Sequence, residues 1–127
     1  MNSIRFLNPT IHGLGDYAAA LGLIVFPFLL GFEGLSLWLS VAGGIGLIGY
    51  SLITDYAFSV APIISFKAHL GLDLAAAVAF VIGPFAFGWT GLVMGYYFVM
   101  AAGVIVVVVF TNPGTDSTVK AGIAAGA

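Results

Sequence analysis

Cysteine is absent from the chain, which excludes disulfides, thiolate metal sites and thiol chemistry. Charge is scarce as well: Asp, Glu, Lys and Arg make up 6% of the 127 residues, against about 25% in an ordinary soluble domain. Three basic and five acidic side chains cannot clothe a water-facing surface. The formal net charge of -2 comes with no basic run that could follow a phosphate backbone, so nucleic acid is excluded as a partner. Gly13 with Gly15 and Gly43 with Gly44 lack the Lys and Ser or Thr of a phosphate-binding loop, which sets nucleotide chemistry aside.

What is present is apolar. Hydrophobic residues make up 61% of the chain, and the mean hydropathy is +1.18. A membrane helix needs about 20 mostly apolar residues, and four stretches qualify: 11–32, 35–54, 67–88 and 91–111. The expected fold is all-α, a polytopic membrane protein with one domain over 1–112 and a flexible C-terminal tail over 113–127. The first apolar stretch is full length and carries His12 and Asp16, unlike the short core of a cleaved signal, so it is expected to be retained. Short turns near Glu33-Gly34 and Trp89-Thr90-Gly91 make each successive pair of spans an antiparallel hairpin. Arg5, Lys67 and Lys120 all fall on the side of the termini, which predicts a plasma (inner) membrane protein with both termini cytoplasmic. Tyr17, Tyr50 and Tyr56 would form an inner interface belt, and Trp38, Trp89, Tyr96 and Tyr97 an outer one.

The chain also matches itself. At an offset of 57 residues, the separation of His12 and His69, Asp16 pairs with Asp73, Pro27 with Pro84, Phe28 with Phe85, Gly31 with Gly88, Gly34 with Gly91, Gly46 with Gly103 and Thr54 with Thr111. Histidine occurs only twice, and both copies precede an Asp by four residues. Two tandem hairpin repeats, 8–55 and 65–112, are therefore expected. Each crosses twice, so both enter the membrane in the same direction and are parallel rather than inverted. Asn8 before Pro9, and Ser65 at the equivalent place, suit helix N-caps.

The segments Phe26-Pro27-Phe28-Leu29-Leu30-Gly31-Phe32 and Gly83-Pro84-Phe85-Ala86-Phe87-Gly88-Trp89 resemble the signature of the bacterial SPW-repeat membrane proteins. The Pro, the following aromatic and the later Gly-aromatic are kept in each copy. Phe26 or Gly83 stands for the Ser of the signature, and Phe28 or Phe85 for the Trp. His12-Gly13-Leu14-Gly15-Asp16-Tyr17, Thr54-Asp55-Tyr56, Lys67-Ala68-His69 and Leu72-Asp73 are similar to the flanking segments of two-copy members. The resemblance covers most of 8–112. It implies a four-span membrane fold and no particular activity, so no catalytic residues carry over.

The His/Asp pairs are the candidate site. Residues four apart share a helix face, and because the repeats are parallel both pairs lie at one depth. An ionised Asp well inside a membrane helix costs about 2.5–3.5 kcal/mol at the helix centre and less towards the ends, so Asp16 and Asp73 should face the bundle. One reading is structural, with each Asp accepting from its own His, from Tyr50, Tyr56 or Thr54, or from helix N-terminal amides. Another gathers His12, Asp16, His69 and Asp73 around a divalent metal. A third makes His12 and His69 axial ligands of a haem, and a fourth is a proton or ion path. No nucleophile stands beside a base elsewhere, so the expectation is a non-enzymatic scaffold or accessory subunit in the lipid bilayer, alone, as a homo-oligomer or within a larger membrane complex. Pro27 and Pro84 should free the carbonyls of Leu23 and Phe80, with no polar neighbour in sequence. Ala18 with Gly22, Ala42 with Gly46 and Ala75 with Ala79 are expected at helix contacts, and the run from Ile105 to Val109 on a lipid-facing or subunit surface.

Overall fold

The computed structural model describes residues 5–57 and 59–112; the expected tail, with Lys120, lies outside them. Four helices follow in order: α1 Pro9–Leu29, α2 Gly34–Leu52, α3 Phe66–Phe87 and α4 Gly91–Phe110. Each is long and apolar enough to cross a membrane. The caps fall where the sequence places them. The Ile11 amide donates to Asn8 Oδ1 at 2.9 Å, and the Ala68 amide donates to Ser65 Oγ at 3.1 Å.

Helices α1 and α3 end earlier than the apolar runs suggest, because the chain must reverse within a few residues. Gly31 and Gly88 take φ of 76° and 69°, and Gly34 and Gly91 take 60° and 59°, conformations that a Cβ disfavours. The Phe32 amide then donates to the Pro27 carbonyl at 2.8 Å, and the Trp89 amide to that of Pro84 at 2.9 Å, two turns built alike.

Both prolines sit inside continuous helices. The carbonyl that Pro27 frees at Leu23 accepts the Ser40 hydroxyl of α2 at 2.7 Å, so a polar partner absent from the local sequence arrives from the neighbouring helix. With its proton so placed, Ser40 Oγ accepts from the Tyr96 hydroxyl at 2.6 Å, and the Tyr97 hydroxyl donates to the Ser36 carbonyl at 2.5 Å. Tyr96 and Tyr97 are therefore core residues linking α4 to α2 and not an interface belt, and Tyr56 is likewise fully buried. Hydrogen bonding of the phenol, unavailable in lipid, explains the correction. The small-residue expectation fails in phase: Ala18, Ala42, Gly46, Ala75 and Ala79 face outward. The close approach occurs at Gly44, where a Cβ would come within 2.7 Å of the Ala20 carbonyl oxygen of α1. Ile105, Val106 and Val109 are exposed, as expected of that run.

The duplication is visible in how the chain closes on itself. The Leu7 amide donates to the Phe110 carbonyl at 3.0 Å and the Asn112 amide to Leu7 at 2.7 Å. At the equivalent positions the Ile64 amide donates to Ile53 at 2.9 Å and the Asp55 amide to Ile64 at 2.8 Å. The segment entering each hairpin is thus bonded to the segment leaving the other. The described residues close as a ring of two like units.

Candidate functional site

The N-terminal turns of α1 and α3 are brought face to face by that ring. Their inward positions carry His12 and Asp16, and His69 and Asp73, with exposures of 1%, 7%, 0% and 3%. One ligand atom from each of the four lies within 4.8 Å of all the others. All four sequence-predicted residues are therefore gathered at one place.

The partners are crossed. His12 Nε2 lies 2.8 Å from Asp73 Oδ2, and His69 Nε2 bonds Asp16 Oδ2, each contact joining one hairpin to the other. The separations within a pair are longer, 3.2 Å for His12–Asp16 and 3.4 Å for His69–Asp73. Thr54 and Tyr50 also take part, in a division of labour the sequence did not reveal. The Tyr50 hydroxyl donates to Asp73 Oδ1, whereas Thr54 bonds His69.

The threonines fix the imidazole tautomers. Thr54 Oγ1 donates to the Tyr50 carbonyl at 2.6 Å, and Thr111 Oγ1 to that of Val107 at 2.6 Å, so neither hydroxyl has a second proton to give. The His69 Nδ1–Thr54 Oγ1 contact of 2.8 Å and the His12 Nδ1–Thr111 Oγ1 contact of 2.9 Å are then N–H donations from the rings. With Nδ1 protonated, a neutral ring presents its Nε2 lone pair to a carboxylate oxygen. Two such nitrogens and two such oxygens converge, and something positive must lie among them. Two protons or one divalent cation would each leave the cluster with zero net charge, which burial in the membrane favours. Thr111 was recognisable only as the repeat partner of Thr54, and nothing local marked either as a support for histidine.

Aromatic rings close the cluster towards the ends of the chain. Phe66 stacks on His69 at 5.6 Å and meets His12 edge-on at 5.3 Å, while Tyr50 contacts His69 at 4.8 Å. Outside the helices, burial pushes the Tyr56 phenol above its ordinary pKa, leaving it neutral beside the site. A haem between the two histidines does not fit. Their ring centroids are 5.5 Å apart, and the carboxylates already stand against both Nε2 atoms in the space a porphyrin would need.

Four apolar spanning helices and a buried His/Asp cluster define a multi-pass membrane protein. No protein-family model, curated protein or solved structure matches the chain.

Proposed function

We propose that the protein is a non-enzymatic membrane module in which two duplicated hairpins close on one divalent metal ion, held by His12, Asp16, His69 and Asp73. The convergence of four lone-pair-bearing atoms, with both imidazoles turned by Nδ1–H donation to a threonine, carries this reading. Donation from Nδ1 to an outer partner is how metal-bound histidine is usually oriented. A tetrahedral site with bonds of about 2.0–2.1 Å has ligand separations of about 3.3 Å. The separations within each pair, 3.2 and 3.4 Å, match that value, while the two crossed contacts, His12–Asp73 and His69–Asp16, are shorter and would open to admit the ion. Nitrogen and oxygen ligands, four in number and shut away from solvent, suit zinc in a structural role, since a catalytic site keeps a position open.

The test is elemental analysis of detergent-purified protein, native and His12→Ala/His69→Ala. The expected result is about one zinc-class ion per native chain and none in the variant. A native protein that folds and carries no ion overturns the proposal. It would favour the one alternative with its own observation, a clamp held by protons, for which the direct His12–Asp73 and His69–Asp16 contacts speak.

The proposal includes a bacterial plasma membrane setting and the SPW-repeat resemblance, the latter supported by sequence alone. Arg5 and Lys67 at the ends away from Glu33 support cytoplasmic termini. A thiol introduced by Glu33→Cys should react with an impermeant reagent on intact cells, and one introduced by Ser117→Cys only after permeabilisation; the reverse pattern refutes the orientation.

A further inference from the structure

Two cavities flank the cluster, and the repeat relates them. The first, of about 310 Å³, lies between α1 and α4, with Gly15, Asp16, Ala19, Gly103 and Val107 in its walls. The second, of about 220 Å³, lies between α2 and α3, where Asp73, Ala76, Gly46 and Tyr50 hold the positions equivalent to the last four.

The equivalence breaks where chemistry would occur. Tyr50 reaches across the second cavity and donates its hydroxyl to Asp73 Oδ1. Its counterpart in the first cavity is Val107, which can donate nothing. Asp16 Oδ1 consequently accepts no hydrogen bond from the described residues, although Asp16 is only 7% exposed. The mouth differs too. Gly15 lines the first cavity and, with Gly103 and Val99, forms an exposed rim at the depth of the spanning helices, whereas its equivalent on α3, Leu72, is exposed and stands outside the second cavity's lining. A Cβ at Gly15 would meet nothing within 4 Å. The first cavity is thus the larger, opens sideways between the spanning helices, and has in its wall the Asp16 carboxylate, whose side chain stays 10% exposed.

We propose that the α1–α4 cavity binds a small lipid-soluble phenol, an apolar body bearing one aromatic hydroxyl that donates to Asp16 Oδ1 as Tyr50 does to Asp73. The other half of the molecule supplies the template for the ligand. The walls are apolar apart from His12, Asp16 and Asp73, which suits such a body, and the volume falls at the lower end of the usual range for ligand pockets, about 300–1,000 Å³. A largely buried carboxylate that still reaches the cavity favours an occupant that donates to it. The inference does not require the metal, because Oδ2 of Asp16 faces the cluster and Oδ1 is the atom left over.

The test is calorimetric titration of the purified protein in micelles with para-butylphenol and with its methyl ether, which has the same body and no donor. Native protein should bind the phenol about tenfold or more tightly than the ether, the scale of one hydrogen bond to a charged acceptor. Val107→Tyr, which supplies the phenol from the chain itself, should abolish that preference. Gly15→Leu, which copies Leu72, should weaken phenol binding about tenfold by closing the mouth. Metal content followed in the same samples should match native in both variants, so a failure here is separable from a failure of the metal site. Equal affinity for phenol and ether, a preference that survives Val107→Tyr, or phenol binding left unchanged by Gly15→Leu overturns the proposal. If Val107→Tyr does not fold, Gly15→Leu decides alone.

Discussion

The two hairpins agree wherever the chain must turn or meet the other copy, and differ where only one copy needs a contact. Cap, proline, turn glycines, histidine, aspartate and threonine recur at equivalent positions and in equivalent bonds. Tyr50 and Val107, Leu72 and Gly15, and Ser40 and Tyr97 do not. A duplicated unit that closes as a ring has to keep both copies of every joint, since each joint takes one half from each hairpin. The residues that diverge, Tyr50 with Val107 and Ser40 with Tyr97 among them, make contacts that one hairpin alone needs. Divergence there points to a contact that one copy alone makes, whereas the shared residues report on assembly and on the His/Asp cluster that both copies build.

The largest expected effect probes that difference at the shared aspartates. Asp16→Asn and Asp73→Asn should each abolish metal retention, because an amide supplies no anionic ligand. Each leaves a buried ionic network broken, at a cost of about 3–5 kcal/mol. Asp73→Asn should be the worse of the two by about 1 kcal/mol, because the Tyr50 hydroxyl, which donates to Asp73 and has no counterpart at Asp16, then meets a neutral amide oxygen in place of a carboxylate. Unfolding in mixed micelles followed by circular dichroism measures both. Equal losses would mean that the carboxylate charge adds nothing to the Tyr50 hydrogen bond at residue 73.

Much of this was legible because composition and period act over short distances. The spans of 11–32 and 67–88 overran the C-terminal ends of α1 and α3, by three residues and by one, since apolarity continues through Leu30 and Phe32 while Gly31 has already left the helix. The four site residues could be named because spacing on a helix and offset between repeats are both one-dimensional facts. Their pairing could not. Whether His12 meets Asp16 or Asp73 depends on how two helices face one another, and the crossed contacts follow from the ring closure at Leu7–Thr111 and Thr54–Ile64, which no local pattern announces. The same limit hid Ser40 as the partner of the Leu23 carbonyl and put the small-residue contact at Gly44 instead of Ala42 and Gly46. Four-residue spacing shows that a face exists; only packing decides which face is used.

The smallest expected effect asks whether the turns are as equivalent as their angles imply. Gly31 follows an ordinary right-handed cap at Leu30, whereas Gly88 is itself the left-handed cap of α3. Both have φ near 70°, and at neither would a Cβ touch another atom within 4 Å. The penalty of Gly31→Ala and of Gly88→Ala should therefore be conformational alone, about 1–2 kcal/mol in each case. Measured by the same unfolding assay, the two losses should agree within about 0.5 kcal/mol, the usual scatter between independent sites. A much larger loss at one position would show that its turn also holds something the other does not. Since the turns lie at the end of the bundle away from the His/Asp cluster, metal content should be native in both variants, and a joint loss of ion and stability would mean that the two ends of the bundle are coupled.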